Sequence, residues 1–303
     1  MALFAILTIP LCLYLLFRAL APAEDHSKNN SLLQSVLSSI GLLQNESQHA
    51  PARPLLLKRK EVEQLDSTTW GHQSYSAFRT AVTSESPVAF PCVYATKGFK
   101  AMEHRYLFLE SDNMQDHTSP SAMTLSAALK AYLDTAPSDL GPNTSLVVLF
   151  PIPTSQESTS LSVMDYHQKY WTCLRALRRS DPKPWPAHIP TSTDSPLWRF
   201  CFNGQPLFSA ALTPAHASRR SRYAPCFCIV FQPNFVFDIL FATQLKKQSA
   251  IDKVRGLLAR FDDVPISPEL KNYGDPTGRE SKQYFILDGN EEAVGCPWES
   301  LDD

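Results

Sequence analysis

The sequence predicts an α+β fold: a single domain with a mixed sheet and flanking helices, preceded by an N-terminal hydrophobic helix. Strand-like and helix-like segments are mixed along the chain without strict alternation, which argues against a regular parallel α/β architecture. The 303 residues contain no internal repeat. A hydrophobic fraction of 44% with 19% charged residues is typical of a globular chain.

The chain opens with an apolar segment that carries no side-chain charge through residue 17, and Arg18 follows it. Two main interpretations of residues 1–21 compete, and a buried helix of a soluble protein is a third alternative. As an uncleaved single-pass anchor with its first basic residue after the span, the segment would hold the protein at a membrane, at the endoplasmic reticulum facing the cytosol. As a cleaved signal peptide, with Ala21-Pro22-Ala23 resembling a cleavage site, it would make the protein secreted.

Residues 22–69 are predicted to be a linker with one amphipathic helix, and residues 70–303 to be the main domain. In residues 31–44 the apolar side chains recur at helical spacing, and Asn30 or Ser31 can cap the helix. This helix either lies on a membrane beside the anchor or packs on its own domain.

In the main domain, apolar and aromatic runs bounded by turn residues predict strands, and helical periodicity predicts helices. Asn203-Gly204, between two such runs, is the strongest short-range hairpin signal in the chain. The predicted strands are Val88–Ala95, Arg105–Leu109, Leu146–Phe150, Trp198–Phe202, Pro206–Leu212 and Ala224–Phe231. The predicted helices are Ser121–Leu133, Leu161–Arg179, Phe235–Leu245 and Ile251–Phe261.

Composition excludes several classes of function. A formal net charge of −2 argues against a nucleic-acid partner, which requires a strongly basic surface. The 24 prolines against 10 glycines disfavour a glycine-rich phosphate loop, and no nucleotide-loop, nucleophile-elbow or HExxH motif occurs. The seven cysteines have irregular spacing and no CxxC pair, so we expect free thiols, with Cys92 buried in its apolar run.

The segment Thr213–Arg222 is the richest candidate site, because it places His216 beside Arg219, Arg220 and Arg222. An imidazole can ligate a metal or haem iron through one ring nitrogen. Guanidinium groups suit carboxylates, including those of haem or of an amino acid. The alternative interpretation is a solvated basic turn with a surface histidine.

Cys92 is the second candidate, since a thiolate can ligate haem iron or act as a nucleophile; the alternative is a buried structural cysteine. His104, His167 and His188 are scattered, and no compact set of ligands such as a zinc site requires is visible. No Ser/His/Asp triad can be assigned, so the catalytic residues stay unknown.

Taken in order, several segments together resemble the YqcI/YcgG family over about residues 70–298, whereas residues 1–69 lie outside the resemblance. The segments that carry it are FPCVYA from Phe90, the helix with Trp171 followed by Asp181 and PWPAHIP, WRFCFNGQPLF from Trp198, TPAHASRRSR from Thr213, FQPNFVF from Phe231 and SKQYF from Ser281.

The resemblance implies a haem-dependent monooxygenase that hydroxylates nitrogen on an amine or amino acid, notably of the arginine type, in a natural-product pathway. It further implies that His216 is the axial ligand of the haem iron and that Arg219 and Arg222 bind the propionates. A redox partner would supply electrons. The alternatives are a non-catalytic haem-binding protein and a membrane-anchored interaction protein.

Overall fold

The computed structural model describes residues 55–152, 161–273, 275–291 and 298. The predicted N-terminal segment 1–21 and the predicted helix 31–44 lie outside the described residues. The strands are β1 (Leu57–Lys58), β2 (Arg105–Phe108), β3 (Leu146–Leu149), β4 (Phe200–Phe202), β5 (Gln205–Leu212) and β6 (Cys228–Pro233). The helices are α1 (Arg59–Val62), α2 (Trp70–Thr83), α3 (Val93–Lys100), α4 (Pro120–Asp134), α5 (Pro137–Leu140), α6 (Val163–Arg179), α7 (Asn234–Leu240), α8 (Gln244–Phe261) and α9 (Glu280–Tyr284).

The strands of the described region form one six-stranded sheet in the order β1-β2-β3-β6-β5-β4. Strands β2 and β3 are parallel, because the connection through α4 and α5 carries the chain back to the same end of the sheet. The other neighbouring pairs are antiparallel. The predicted α+β class with a mixed sheet is therefore confirmed.

Both faces of the sheet are covered, and the alternation of side chains along β3 shows how. Leu146 and Val148 face a large core that includes side chains of α4 and α6. Val147 and Leu149 face a smaller cluster that includes side chains of α2 and α3. All four side chains are buried, which explains why the LVVL run is continuously apolar.

The hairpin predicted at Asn203-Gly204 connects β4 and β5. Both residues have positive φ, 52° and 72°, and this conformation suits the twist of a two-residue hairpin. Strand β5 is eight residues long, and Thr213 directly follows its last residue. The hairpin thus fixes where the candidate segment Thr213–Arg222 begins.

Two predicted strands differ from the structure. Val88–Ala95 is not a strand: the chain bends through Pro91, and helix α3 begins at Val93. Pro91 lacks the N–H that a residue in a strand would donate to its neighbour. A proline is tolerated just before a helix, where no such hydrogen bond is needed. The predicted strand Ala224–Phe231 begins only at Cys228, beyond Pro225, and extends to Pro233.

The predicted membrane localisation is corrected. None of the helices in the described ranges is both long and apolar enough to cross a bilayer. Helix α8 has 18 residues, but charged side chains such as Lys246, Asp252 and Arg255 interrupt its apolar positions. The sequence-based assignment to the endoplasmic-reticulum membrane therefore does not stand.

Candidate functional site

The segment that follows β5 is closed at its base by backbone hydrogen bonds. The Thr213 N–H donates to the Arg222 carbonyl at 2.9 Å, and the Ala224 N–H donates to the Thr213 carbonyl at 3.2 Å. A short 3-10 turn over Arg220–Arg222 completes this closed loop. The loop holds His216, Arg219 and Arg222 on one framework, as the sequence analysis expected, but gives the three side chains different surroundings.

His216 is buried, and both of its ring nitrogens are engaged within the protein. Nε2 lies 2.9 Å from the Ile286 carbonyl, and Nδ1 lies 2.8 Å from Thr213 Oγ1. Because a carbonyl only accepts, Nε2 carries the proton and Nδ1 accepts from the Thr213 hydroxyl. His216 could therefore ligate iron only by giving up one of these bonds, and its role as an axial ligand stays a prediction.

The side chain of Arg219 is likewise hydrogen-bonded to the segment that follows α9. Its guanidinium donates to the carbonyls of Leu287 and Gly289 at 2.7 and 2.8 Å. The carboxylate of Asp288, in the same segment, accepts hydrogen bonds from the backbone N–H groups of residues 217, 218 and 219. His216 and Arg219 of the loop thus donate hydrogen bonds to residues 285–290, and Asp288 accepts hydrogen bonds from the loop. We call these three residues the clamp. Sequence reasoning missed Asp288, because its partners lie about 70 positions earlier in the chain.

Arg222, like Arg219, lines a cavity on the face of the sheet covered by α2 and α3, but its guanidinium makes fewer hydrogen bonds to the protein. Its hydrogen bond to the Gln283 carbonyl is long, 3.5 Å, and no described carboxylate lies within ion-pair distance of it. Burial lowers the pKa of Arg222, although a guanidinium stays charged in proteins. A charged group in this position is expected to have an anionic partner.

The cavity has a volume of about 250 Å³ and predominantly apolar walls. Its floor is the sheet, through Val147, Ala210 and Val230. Its sides come from α2, α3 and α8, and Cys92 lies at the start of α3. An apolar cavity with a few polar groups is the usual form of a small-molecule or cofactor site.

Cys92 is not buried, contrary to the prediction, because it occupies the bend before α3 rather than a strand. Its exposed surface contributes to the cavity wall. Desolvation raises the pKa of the Cys92 thiol, whereas the backbone N–H groups of Ala95 and Tyr94 and the charge of Arg222 act to lower it. The net effect is a raised pKa, because these three groups offset only part of the desolvation. The other cysteines of the described region, Cys173, Cys201, Cys226 and Cys228, are buried free thiols.

Two further buried histidines lie beside cavities. His104 lines the cavity of Cys92; one ring nitrogen, Nε2, bonds the Ala95 carbonyl at 2.9 Å, and Nδ1 has no hydrogen-bond partner among the described residues. His167 accepts a hydrogen bond from Trp171 and lines a second cavity of about 220 Å³, which has a more charged wall. Ile286 lines both cavities, so the clamp at His216 also holds the wall between them.

The buried histidines predict a dependence of stability on pH. Desolvation lowers the pKa of His104, His167 and His216 from 6.5 to about 4. The unfolded chain therefore binds more protons than the folded protein below pH about 6.5, and stability falls as the pH falls toward 4. Between about pH 7.5 and about pH 5, each histidine accounts for a loss of about 2 kcal/mol. Glu280 acts in the opposite direction, because burial raises its pKa to about 7.

Urea unfolding of His104→Gln at these two pH values isolates one such contribution. We expect the pH-dependent loss of unfolding free energy to be smaller than in the parent protein by about 2 kcal/mol. His188→Gln, at an exposed position, serves as the matched control and should leave the pH dependence unchanged. An unaltered pH dependence in His104→Gln would show that His104 is protonated equally in both states.

No group of three or more His, Cys, Asp or Glu side chains within the described ranges is arranged to hold a metal ion. The model of the YqcI/YcgG family matches residues 78–299. The chain belongs to the YqcI/YcgG family. This match contains Cys92, the clamp and the cavity walls contributed by the sheet and α8.

Relatives support the same assignment. The chain is 31% identical over 245 residues to YqcI of Bacillus subtilis (strain 168), covering 80% of this chain and 94% of that protein. It is 34% identical over 212 residues to YcgG of the same organism, covering 70% and 81%. Both are named as uncharacterized proteins. The chain is also 29% identical over 236 residues to a Streptomyces lavendulae protein named "Putative N(omega)-hydroxy-L-arginine synthase DcsA", covering 77% and 85%. No solved structure matches the chain significantly.

Within this YqcI/YcgG domain, the residues predicted to bind haem divide into two groups. His216 and Arg219 have their hydrogen-bonding groups occupied by the protein itself. Arg222 and Cys92 lie on the wall of an apolar cavity, and they offer a cation without a carboxylate partner and a thiol with N–H donors. A thiolate and a guanidinium are a donor set that fits haem, through its iron and its propionates.

Proposed function

We propose that this protein hydroxylates nitrogen on an amine or amino acid in a haem-dependent oxygenation, and that the reaction occurs in the cavity lined by Cys92 and Arg222. One observation carries the proposal: a guanidinium with no carboxylate partner shares an apolar cavity with an accessible thiol. The name of DcsA, which describes a product hydroxylated on nitrogen, supports the reaction class. Arginine is accordingly the first substrate to test.

Cys92 is the residue that would hold the haem iron. It precedes the first residue of α3, where backbone N–H groups have no partner inside the helix. The N–H groups of Tyr94 and Ala95 interact with its sulfur and reduce the cost of keeping it as a thiolate in an apolar cavity. When bound, thiolate-ligated haem supplies the activation of dioxygen.

Arg222 contributes the positive charge of the site. It acts on the sulfur of Cys92 from across the cavity, and it retains donors for an anionic group such as a propionate or a substrate carboxylate. Asp262 lines the same cavity and acts on Arg222 through its charge, but its carboxylate accepts hydrogen bonds from the N–H and hydroxyl of Ser221 and lies 3.9 Å from the guanidinium of Arg219. The charge of Arg222 is thus available to whatever enters the cavity.

The remaining walls exclude water and determine how much room the cavity has. Side chains such as Val147, Val230 and Leu258 offer no hydrogen bonds, so a bound amine meets dioxygen in a dry environment. Within α8, Leu257 is the one buried side chain. Because haem is larger than the present cavity, haem binding as proposed requires this wall to move outward.

The overall reaction balances as R–NH2 + O2 + 2 electrons + 2 protons giving R–NHOH + H2O. To test it, purified protein is mixed with haemin, and the Soret absorption and bound haem are measured. The loaded protein then receives L-arginine, dioxygen and a reductant, and the products are analysed by mass spectrometry. We expect stoichiometric haem and a product heavier by one oxygen atom on nitrogen. Absence of specific haem uptake would refute the proposal.

Arg222→Met tests the electrostatic role of the guanidinium without any cofactor. Removing one opposite charge should raise the pKa of Cys92 further and slow its alkylation by iodoacetamide at a given pH. Peptide mapping by mass spectrometry follows Cys92 separately from the other thiols. Arg220→Met is the matched control, because Arg220 is exposed and lies 3.3 Å from Asp263. Equal alkylation rates in the two variants would show that Arg222 does not act on the thiol.

A further inference from the structure

A surface groove with a volume of about 510 Å³ lies between α3, α7 and α8. Its apolar part includes Val93, Tyr94, Ile239 and Leu245. Leu245 is 82% exposed and Ile239 is 49% exposed, so both present apolar surface to solvent in this groove. Exposed apolar side chains of this kind can supply the short-range contacts of a protein interface.

The groove is also positively charged. Lys97, Lys246 and Lys253 contribute to its wall, and no Asp or Glu does. None of the three lysines forms an ion pair with a carboxylate of the described residues; Lys97 contacts the ring of Tyr94. The complete chain has a formal net charge of −2, so this concentration of positive charge is local. An apolar centre with charged residues at its rim is the usual arrangement of a transient protein interface.

The groove and the cavity of Cys92 share two helices. Along α3, Val93, Tyr94 and Lys97 line the groove, whereas Cys92 and Ala95 line the cavity. Along α8, Lys253 lines the groove and the next residue, Val254, lines the cavity. A protein seated in the groove would therefore lie one helix away from the thiol proposed to hold the haem.

We propose that this groove, defined by the residues named above, is the docking surface for an acidic one-electron carrier protein of the ferredoxin type. The proposal rests on the proposed function, since the oxygenation consumes two electrons and two protons per nitrogen hydroxylated. Two reduced carriers would each be oxidised by one electron per turnover, one oxygen atom of O2 would enter the product, and the other would leave as water. Charge complementarity selects an acidic carrier, and the apolar centre gives the complex its short-range contact.

The test uses the full chain and reduced plant-type ferredoxin, an acidic iron–sulfur protein, as the probe. Binding is measured by titration calorimetry at low ionic strength with Lys97→Glu/Lys253→Glu. The matched control is Lys60→Glu/Lys183→Glu, which makes the same change in net charge at exposed lysines outside the groove. We expect binding to weaken by about tenfold or more in the groove variant, little change in the control, and a smaller difference at about 0.5 M salt.

A second measurement separates this proposal from the proposed function. Haem-loaded protein is reduced either by ferredoxin or by dithionite, and the absorption change is followed by stopped flow. Slower reduction by ferredoxin alone in the groove variant supports the docking surface. Equal ferredoxin binding and reduction in both variants would overturn the docking proposal while leaving the oxygenase proposal in place. If the groove variant instead dissociates a dimer with unchanged ferredoxin binding, the groove is a self-association surface and the docking proposal fails.

Discussion

Cys92→Ala is expected to remove bound haem and to lower nitrogen hydroxylation by more than about a hundredfold. Loss of a residue that only supports a metal ligand costs up to about a hundredfold in affinity or activity, and loss of the ligand itself should cost more. The physical reason is that Cys92 is the cysteine that lines the cavity, and two backbone N–H groups and the charge of Arg222 act on its sulfur. Bound haem per protein, the Soret absorption and product formation are the three measurements. Cys92→Ser should behave similarly, because a neutral hydroxyl is a poor iron ligand.

Cys201→Ala is the control for this prediction, since it deletes a thiol that is buried in β4 and does not line the cavity. It should retain haem and activity, apart from a modest loss of stability from the small void. The melting temperature of Cys92→Ala should stay close to that of the parent apoprotein, because its side chain is exposed. Full haem content and an unchanged spectrum in Cys92→Ala would exclude Cys92 as the ligand.

His216→Ala has the second large expected effect, and the effect is on folding. Removing the imidazole leaves the Thr213 hydroxyl and the Ile286 carbonyl without their buried partner. Each such group costs about 1–3 kcal/mol, so the free energy of unfolding should fall by about 2–6 kcal/mol. Urea unfolding at neutral pH measures this loss. His188→Ala, at an exposed position, should change stability by less than about 0.5 kcal/mol.

The same variant also decides between the two candidate iron ligands. If His216 acts as a clamp, His216→Ala should retain haem in the fraction of protein that is folded, with the Soret band unmoved. His216→Gln should recover part of the stability, because an amide can donate to the Ile286 carbonyl. Loss of haem with unchanged stability would instead establish His216 as the ligand, as the family resemblance predicts.

Local signals in the sequence were sufficient for much of the framework. The Asn203-Gly204 turn is formed by residues that tolerate positive φ, so its hairpin needs no distant contact to specify it. The periodicity of the segment 163–179 gave a helix because one stripe of its side chains enters the core. The strand predicted at Val88–Ala95 was wrong, because a short apolar run is compatible with either a strand or the buried start of a helix. In the structure a helix begins within this run, at Val93.

The sequence by itself determined the mixed α+β class, the positions of β2, β3, β5, α4 and α6, and membership of the YqcI/YcgG family through the order of its segments. Tertiary structure alone decided which predicted site residues are free to act. His216 and Arg219 form a clamp because residues 285–290 pack against them, and Arg222 lines the same cavity as Cys92. Hydrogen bonding and burial are set by partners distant in the chain, and a local pattern carries no information about those partners.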